Sequence, residues 1–175
     1  YCVNGIEVPH YLLDLCSVTE AFHIYDFVKH FIATFHACEN RHLLPVLCGG
    51  TGLYFDAVLK KHQHISIPND ATVREKAASL SDEALQTWLM SYPEALRRHA
   101  DTSTRKRMIR ALEVASFLTS NTPEVIPYPD LKPLIFGLDP PVKERNRRIH
   151  KRLYERVDEG MIEEVKMLLA NGVPA

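Results

Sequence analysis

Six residues without polar alternation run straight into a glycine turn, and this junction limits the fold more than any other feature of the chain. Leu43-Leu44-Pro45-Val46-Leu47-Cys48 is followed at once by Gly49-Gly50-Thr51-Gly52. An apolar run of this kind suits a strand covered on both faces, as in a parallel sheet. Before it, Phe27, Val28, Phe31, Ile32, Phe35 and Cys38 recur at helical spacing from Ile24 onward, and Asn40 can close that helix. After it, a helix resumes from Leu53 to Lys61. Helix, buried strand, glycine turn and helix together predict a layered α/β fold. Upstream, residues 8–15 (Val-Pro-His-Tyr-Leu-Leu-Asp-Leu) predict an extended, largely buried segment.

Beyond Pro68 the texture is helical. Asn69 or Asp70 can cap a helix to about Leu80, Ser81 can cap one containing Leu85, Trp88 and Leu89, and a third starts near Thr102 to Thr104 and runs to about Leu118. Residues 63–122 are therefore expected to form an all-helical insertion. Pro123, Pro127, Pro129 and Pro133 mark the return, and residues 134–139 (Leu-Ile-Phe-Gly-Leu-Asp) predict a second buried strand. A helix from about Val142 to Glu159 follows; Gly160 interrupts it, and a last helix ends near Asn171-Gly172. Residues 1–62 and 123–175 are then expected to form a partial α/β core.

With 46% hydrophobic and 25% charged residues among 175, a buried core is within reach of one ordinary domain. No apolar stretch reaches the eighteen or so residues of a membrane span, and the first residues do not read as a secretory signal. Cys2, Cys16, Cys38 and Cys48 form no C-x-x-C pair, which predicts reduced cysteines, and the nine histidines form no metal-binding pattern. The net charge is −1, but residues 105–156 hold twelve Lys/Arg against six Asp/Glu. That asymmetry suits an anionic partner for one region.

Three features are suited to chemistry. The glycine turn lets backbone N–H groups approach an anion at a helix start, with the Thr51 hydroxyl beside them; a ligand-free tight turn reads equally well. It is not a Walker A loop, whose G-x-x-x-x-G-K-[ST] occurs nowhere in the chain. At the second, Arg105, Lys106, Arg107 and Arg110 crowd a helix start where the dipole disfavours cations. An anion over the cluster explains this, and so does a solvated face. Third, Arg145, Arg148, Arg152 and Arg156 fall within roughly 80° of a helical wheel. They form either a phosphate clamp or a surface laced by Glu144, Glu155 and Glu159.

The wording of the motifs adds a resemblance. Pro9-His10-Tyr11-Leu12-Leu13-Asp14, Tyr25-Asp26-Phe27 and Leu47-Cys48-Gly49-Gly50-Thr51-Gly52-Leu53-Tyr54 occur in that order. Arg105-Lys106-Arg107 with Arg110-Ala111-Leu112-Glu113-Val114, then Arg156-Val157-Asp158 with Gly160-Met161-Ile162-Glu163-Glu164-Val165, complete the series. It resembles the tRNA dimethylallyltransferases over nearly the whole chain.

The resemblance implies an α/β fold: a P-loop-NTPase-like parallel sheet core, incomplete here, with the helical insertion gripping the anticodon arm of tRNA. It implies transfer of a dimethylallyl group from dimethylallyl pyrophosphate to the exocyclic amine of the adenosine 3′ of the anticodon, with the base flipped from its stack. By match of motif, Thr51 would lie near that base, and Arg74, Lys106, Arg107, Met108, Ile109 and Arg110 would contact tRNA. Arg152 would bind the pyrophosphate and stabilise the leaving group. His10 and Asp14 would support the site. Mg2+ would assist departure without protein ligands from this chain, and the intact enzyme would be a cytoplasmic monomer. The family's phosphate loop and its general base, an Asp, would both precede Tyr1, so the chain alone is expected to be inactive. A small-molecule P-loop kinase and a non-catalytic RNA-binding module are the alternatives.

Overall fold

The computed structural model describes residues 2–3, 5–98 and 100–174, apart from the side chains of Cys2, Val3 and Ile6. Eight α-helices dominate the described residues, with one short hairpin, β1 (Cys2–Val3) and β2 (Ile6–Glu7), joined through Gly5 at φ 79°. The helices are α1 (Ile24–Asn40), α2 (Gly52–Leu59), α3 (Ala71–Ala78), α4 (Asp82–Met90), α5 (Glu94–Arg97), α6 (Arg105–Ser120), α7 (Val142–Asp158) and α8 (Met161–Ala170). The chain divides into two compact units. One holds the residues up to Leu12 and His23–Pro129; the other holds Leu13–Phe22 and the residues from Asp130 onward.

In the first unit α3, α4 and α5 all pack on α6. Asp70 accepts hydrogen bonds from the Thr72 and Val73 amides, Ser81 from Ala84, and Thr104 from Arg107, so each of α3, α4 and α6 starts on a side-chain cap. The apolar faces meet in one cluster: Val73 and Ala77 of α3, Leu85 and Leu89 of α4, and Met108, Ala111, Leu112 and Ala115 of α6. Leu85, Leu89 and Leu112 are fully buried. Each contributes about 1.5–3 kcal/mol by leaving water, and truncating any of them to Ala would cost about 2–5 kcal/mol. Elsewhere in the unit α1 packs on α2 through Phe27, Val28, Ala57 and Val58, and Asp26 caps α1 by accepting from the His23 amide. The proline-rich return is anchored strand-fashion without a strand. Gln63 Nε2 donates to the Ile126 carbonyl while its Oε1 accepts from the Ile126 amide. Ile126 is buried.

In the second unit α7 and α8 pack on each other. Gly160 separates them at φ 103°, a left-handed conformation that costs a side-chain-bearing residue about 1–2 kcal/mol. Past α8, Val173 donates to the Leu168 carbonyl and Gly172 to Leu169, with Gly172 at φ 82°, which makes a Schellman ending.

The expected strands do not form. Residues 43–48 and 134–139 have no strand partner among the described residues, so the parallel sheet is absent from them. Leu44 is 88% exposed and Leu138 96%. Residues 8–15, expected to be buried, also leave Val8 and Leu13 exposed and pair with no strand. The reason is physical: an apolar run states that a segment requires cover, whereas a strand exists only where a neighbour accepts its backbone hydrogen bonds.

Candidate functional site

At the glycine turn, Thr51 is the N-cap of α2, yet its side chain makes no capping bond and stays exposed. A hollow of about 80 Å³ lies here, lined by Leu47 to Thr51 and by the rings of Phe27, Tyr54 and Phe55. Phe27 and Tyr54 stack with centroids 4.3 Å apart and planes 12° from parallel. A Cβ on Gly49 would meet the Phe55 ring at 3.4 Å, whereas at Gly50 and Gly52 it would meet nothing within 4 Å. Neither of those glycines has a left-handed φ. Packing within the described chain therefore does not demand glycine at 50 or 52, and the turn keeps its backbone open to close approach.

The cationic start of α6 is compensated from within. Arg105 bonds to Asp82 and to the Ala77 and Leu80 carbonyls at the end of α3. Arg107 bonds to Asp101 and Ser103 at 2.9 Å each. Arg110 donates to the carbonyls of His64, Ile67 and Pro68 and to Glu113. Lys106 alone of the four has no hydrogen-bond or ion-pair partner among the described residues. An anion over the cluster is thus not required to explain it. Met108 belongs to the core with 6% exposure, and Ile109 packs half-buried against it. The period of α6 turns the Met108 side chain inward with Leu112 and Ala115.

Glu113 is the buried carboxylate that organises this face, at 1% exposure. Its Oε1 accepts from the Asp70 amide at 3.0 Å and from Arg74 Nε at 2.6 Å; its Oε2 accepts from Arg110 at 3.2 Å. Arg74 also donates to Asn69 at 2.8 Å and remains half-exposed. A cleft of about 420 Å³ opens beside Glu113, lined also by Asp70, Ser116, Ser120 and Asn121.

On α7, Glu144 binds Arg147 and Arg148, and these two guanidinium groups hold its carboxyl down at about 2. Glu155 reaches only Lys151, at 3.6 Å. Arg145, Arg152 and Arg156 have no ion-pair partner among the described residues and are exposed. Three of the four arginines of the arc are thus free to meet an anion. Thr51, Arg74 and the α6 residues lie in the first unit, Arg152 in the second.

Cys16, Cys38 and Cys48 are free thiols. Among the described residues no group of three or more His, Cys, Asp or Glu side chains could hold a metal ion. None of the described helices is long and apolar enough to cross a membrane.

A sequence profile described as IPP transferase matches residues 5–175. The chain belongs to this family. Its relatives include tRNA dimethylallyltransferase 1 of Parabacteroides distasonis, 35% identical over 173 residues, which are 99% of this chain and 56% of that protein. Another is tRNA dimethylallyltransferase 2 of Pelobacter propionicus, 38% identical over 168 residues, 96% of this chain and 54% of that protein. A third, tRNA dimethylallyltransferase 1 of Porphyromonas gingivalis, is 35% identical over 175 residues, 100% of this chain and 58% of that protein. The chain spans about half the length of the curated relatives it matches. Within the IPP transferase sequence, Glu113 belongs to the Arg110-Ala111-Leu112-Glu113-Val114 motif but has no role assigned by the resemblance. The sequence held only part of its signal: a carboxylate three residues after Arg110, on the same side of α6, can pair with it, whereas its burial comes from packing.

Proposed function

We propose that this chain serves the prenylation of tRNA, with dimethylallyl pyrophosphate as donor and the exocyclic amine of the adenosine 3′ of the anticodon as acceptor. The identity to proteins named tRNA dimethylallyltransferase over 96% to 100% of the chain carries the reading. The C–O bond between the prenyl carbon and pyrophosphate breaks, the amine nitrogen bonds to that carbon, and the amine loses a proton. No side chain of this chain is assigned to take that proton. Arg152, unpaired on α7, would neutralise charge gathering on the departing pyrophosphate, where a fixed guanidinium acts without reorganisation. Thr51 at the open turn would border the flipped base. Arg74, Lys106, Arg107 and Arg110 would face the anticodon arm, with Ile109 beside them and Met108 supporting them from the core. Among the described residues no His, Cys, Asp or Glu cluster would hold a metal, and magnesium would assist the departing pyrophosphate without ligands from this chain. A monomer acting on cytoplasmic tRNA completes the reading.

The test is transfer of labelled dimethylallyl groups to tRNA by the natural protein that carries this sequence. Prenyl transfer is expected, and Arg152→Ala should lower kcat by about 10²–10³. Unchanged kcat in that variant would remove Arg152 from the leaving-group role. Phosphoryl transfer from ATP in place of prenyl transfer would favour a kinase.

A further inference from the structure

We propose that Glu113 is a positioning residue for tRNA, acting through Arg74: it holds the Arg74 guanidinium in one orientation so that its outer edge meets a backbone phosphate. The inference rests on the reading that Arg74 contacts tRNA. Glu113 is itself buried and held from two further sides, because Arg110 and the Asp70 amide both donate to its carboxylate and Arg110 is tied to three further carbonyls. Against this fixed group Arg74 is held twice, by Nε to Glu113 and by Nη2 to Asn69. Nη1 makes no hydrogen bond among the described residues, and the side chain is 51% exposed. A long, flexible side chain on a helix start is thus oriented before any ligand arrives. Binding then loses less rotamer freedom, which is the general benefit of preorganisation. Arginine's planar fork makes the orientation useful, since two edges can be pinned while a third is presented.

A purely structural role, stapling α6 to the start of α3, also predicts lost stability on substitution. The two roles separate in binding measured on folded protein. The probe is an anticodon stem-loop RNA, titrated over a range of salt against the full chain and its Glu113→Gln, Arg74→Ala and doubly substituted forms. Glu113→Gln should weaken binding about 3- to 10-fold. It should also reduce the salt slope by about 1, as loss of one phosphate contact does. In the Arg74→Ala background it should cause no further loss. Wild-type affinity and slope in Glu113→Gln, with both lowered in Arg74→Ala, would overturn the positioning role while leaving tRNA binding by Arg74 intact. Losses that multiply in the double variant would overturn it too. Unchanged binding in Arg74→Ala would defeat the tRNA role of Arg74, and the positioning role with it. Should Glu113→Gln not fold, Glu113→Asp is read by the same criteria, since it keeps the buried charge but withdraws it from Arg74 by one methylene.

Discussion

The Tyr25 hydroxyl donates a 2.6 Å hydrogen bond to Glu124, which lies 99 positions along the chain. It joins the first turn of α1 to the proline-rich return that follows α6. The bond, burial and the negative charges of Glu124 and Asp26 together raise the Tyr25 pKa above its ordinary 10.0.

Tyr25→Phe removes this bond without changing the ring, and should destabilise the protein by about 0.5–1 kcal/mol, the low end for a partly solvated bond. Because the folded pKa is raised, the stabilisation is whole below pH 10 and fades as pH rises above it. Urea unfolding of both proteins at neutral and alkaline pH measures this. Midpoints that match at neutral pH would show that water replaces the bond at no cost.

Tyr128 should resist ionisation. Burial pushes its pKa up to about 12, and its hydroxyl donates to the His62 carbonyl at 2.8 Å. Between pH 10 and about 12 the unfolded chain has released this proton while the folded one retains it. Stability therefore falls with rising pH across that window. In a phenolate absorbance titration Tyr128→Phe should delete a component titrating at about 12.

Lys106 and Arg105 are neighbours with different duties, and substitution should separate them. Lys106→Ala should leave thermal stability unchanged while weakening anticodon stem-loop binding and reducing its salt slope by about 1. Arg105→Ala removes the Asp82 pair and the guanidinium donor to the Ala77 and Leu80 carbonyls, of which Ala77 keeps the Leu80 amide, and should destabilise by about 1–3 kcal/mol. Equal stability loss in the two variants would contradict this division.

Two helices end on left-handed residues that are not glycine, His42 at φ 54° after α1 and Lys61 at φ 51° after α2. Leu43 donates to the Cys38 carbonyl and His62 to Ala57, completing the Schellman bonds. Replacing either residue by Gly relieves steric strain but loosens the unfolded chain, for a net gain of about 0.5–1 kcal/mol in stability. Denaturation midpoints that drop in either variant would show that the side chain is contributing contacts there.

Local patterns carried much of the architecture. Apolar spacing located α1, α4 and α6, and Asn69 or Asp70, Ser81 and Thr102 to Thr104 marked three helix starts to within two residues, because a cap is a contact between residues two or three apart. Asn4-Gly5 was an unread hairpin signal, and Pro93 before Glu94 one for α5. The unpaired arginines of α7 could be read only in part. Helical spacing placed Arg145, Arg152 and Arg156 on one arc, but it also allowed Glu144 and Glu155 to neutralise them, and only side-chain geometry shows that those carboxylates turn to Arg147, Arg148 and Lys151.

The junction at 43–52 marks the division most clearly. Its residues alone determined that a helix begins at the glycine turn and that the preceding run repels water, since both follow from covalent identity and nearest neighbours. Whether that run becomes a strand depends on partners distant in sequence, and no described segment supplies them. The same holds for the cations of α6. Their order in the chain announced a concentration of positive charge, but which of them are spent on Asp82, Asp101, Glu113 and backbone carbonyls, and that Lys106 is left over, was decided by tertiary packing. Ion pairing depends on distance in space, and the chain brings Arg110 to Ile67 only after α6 has docked beside α3.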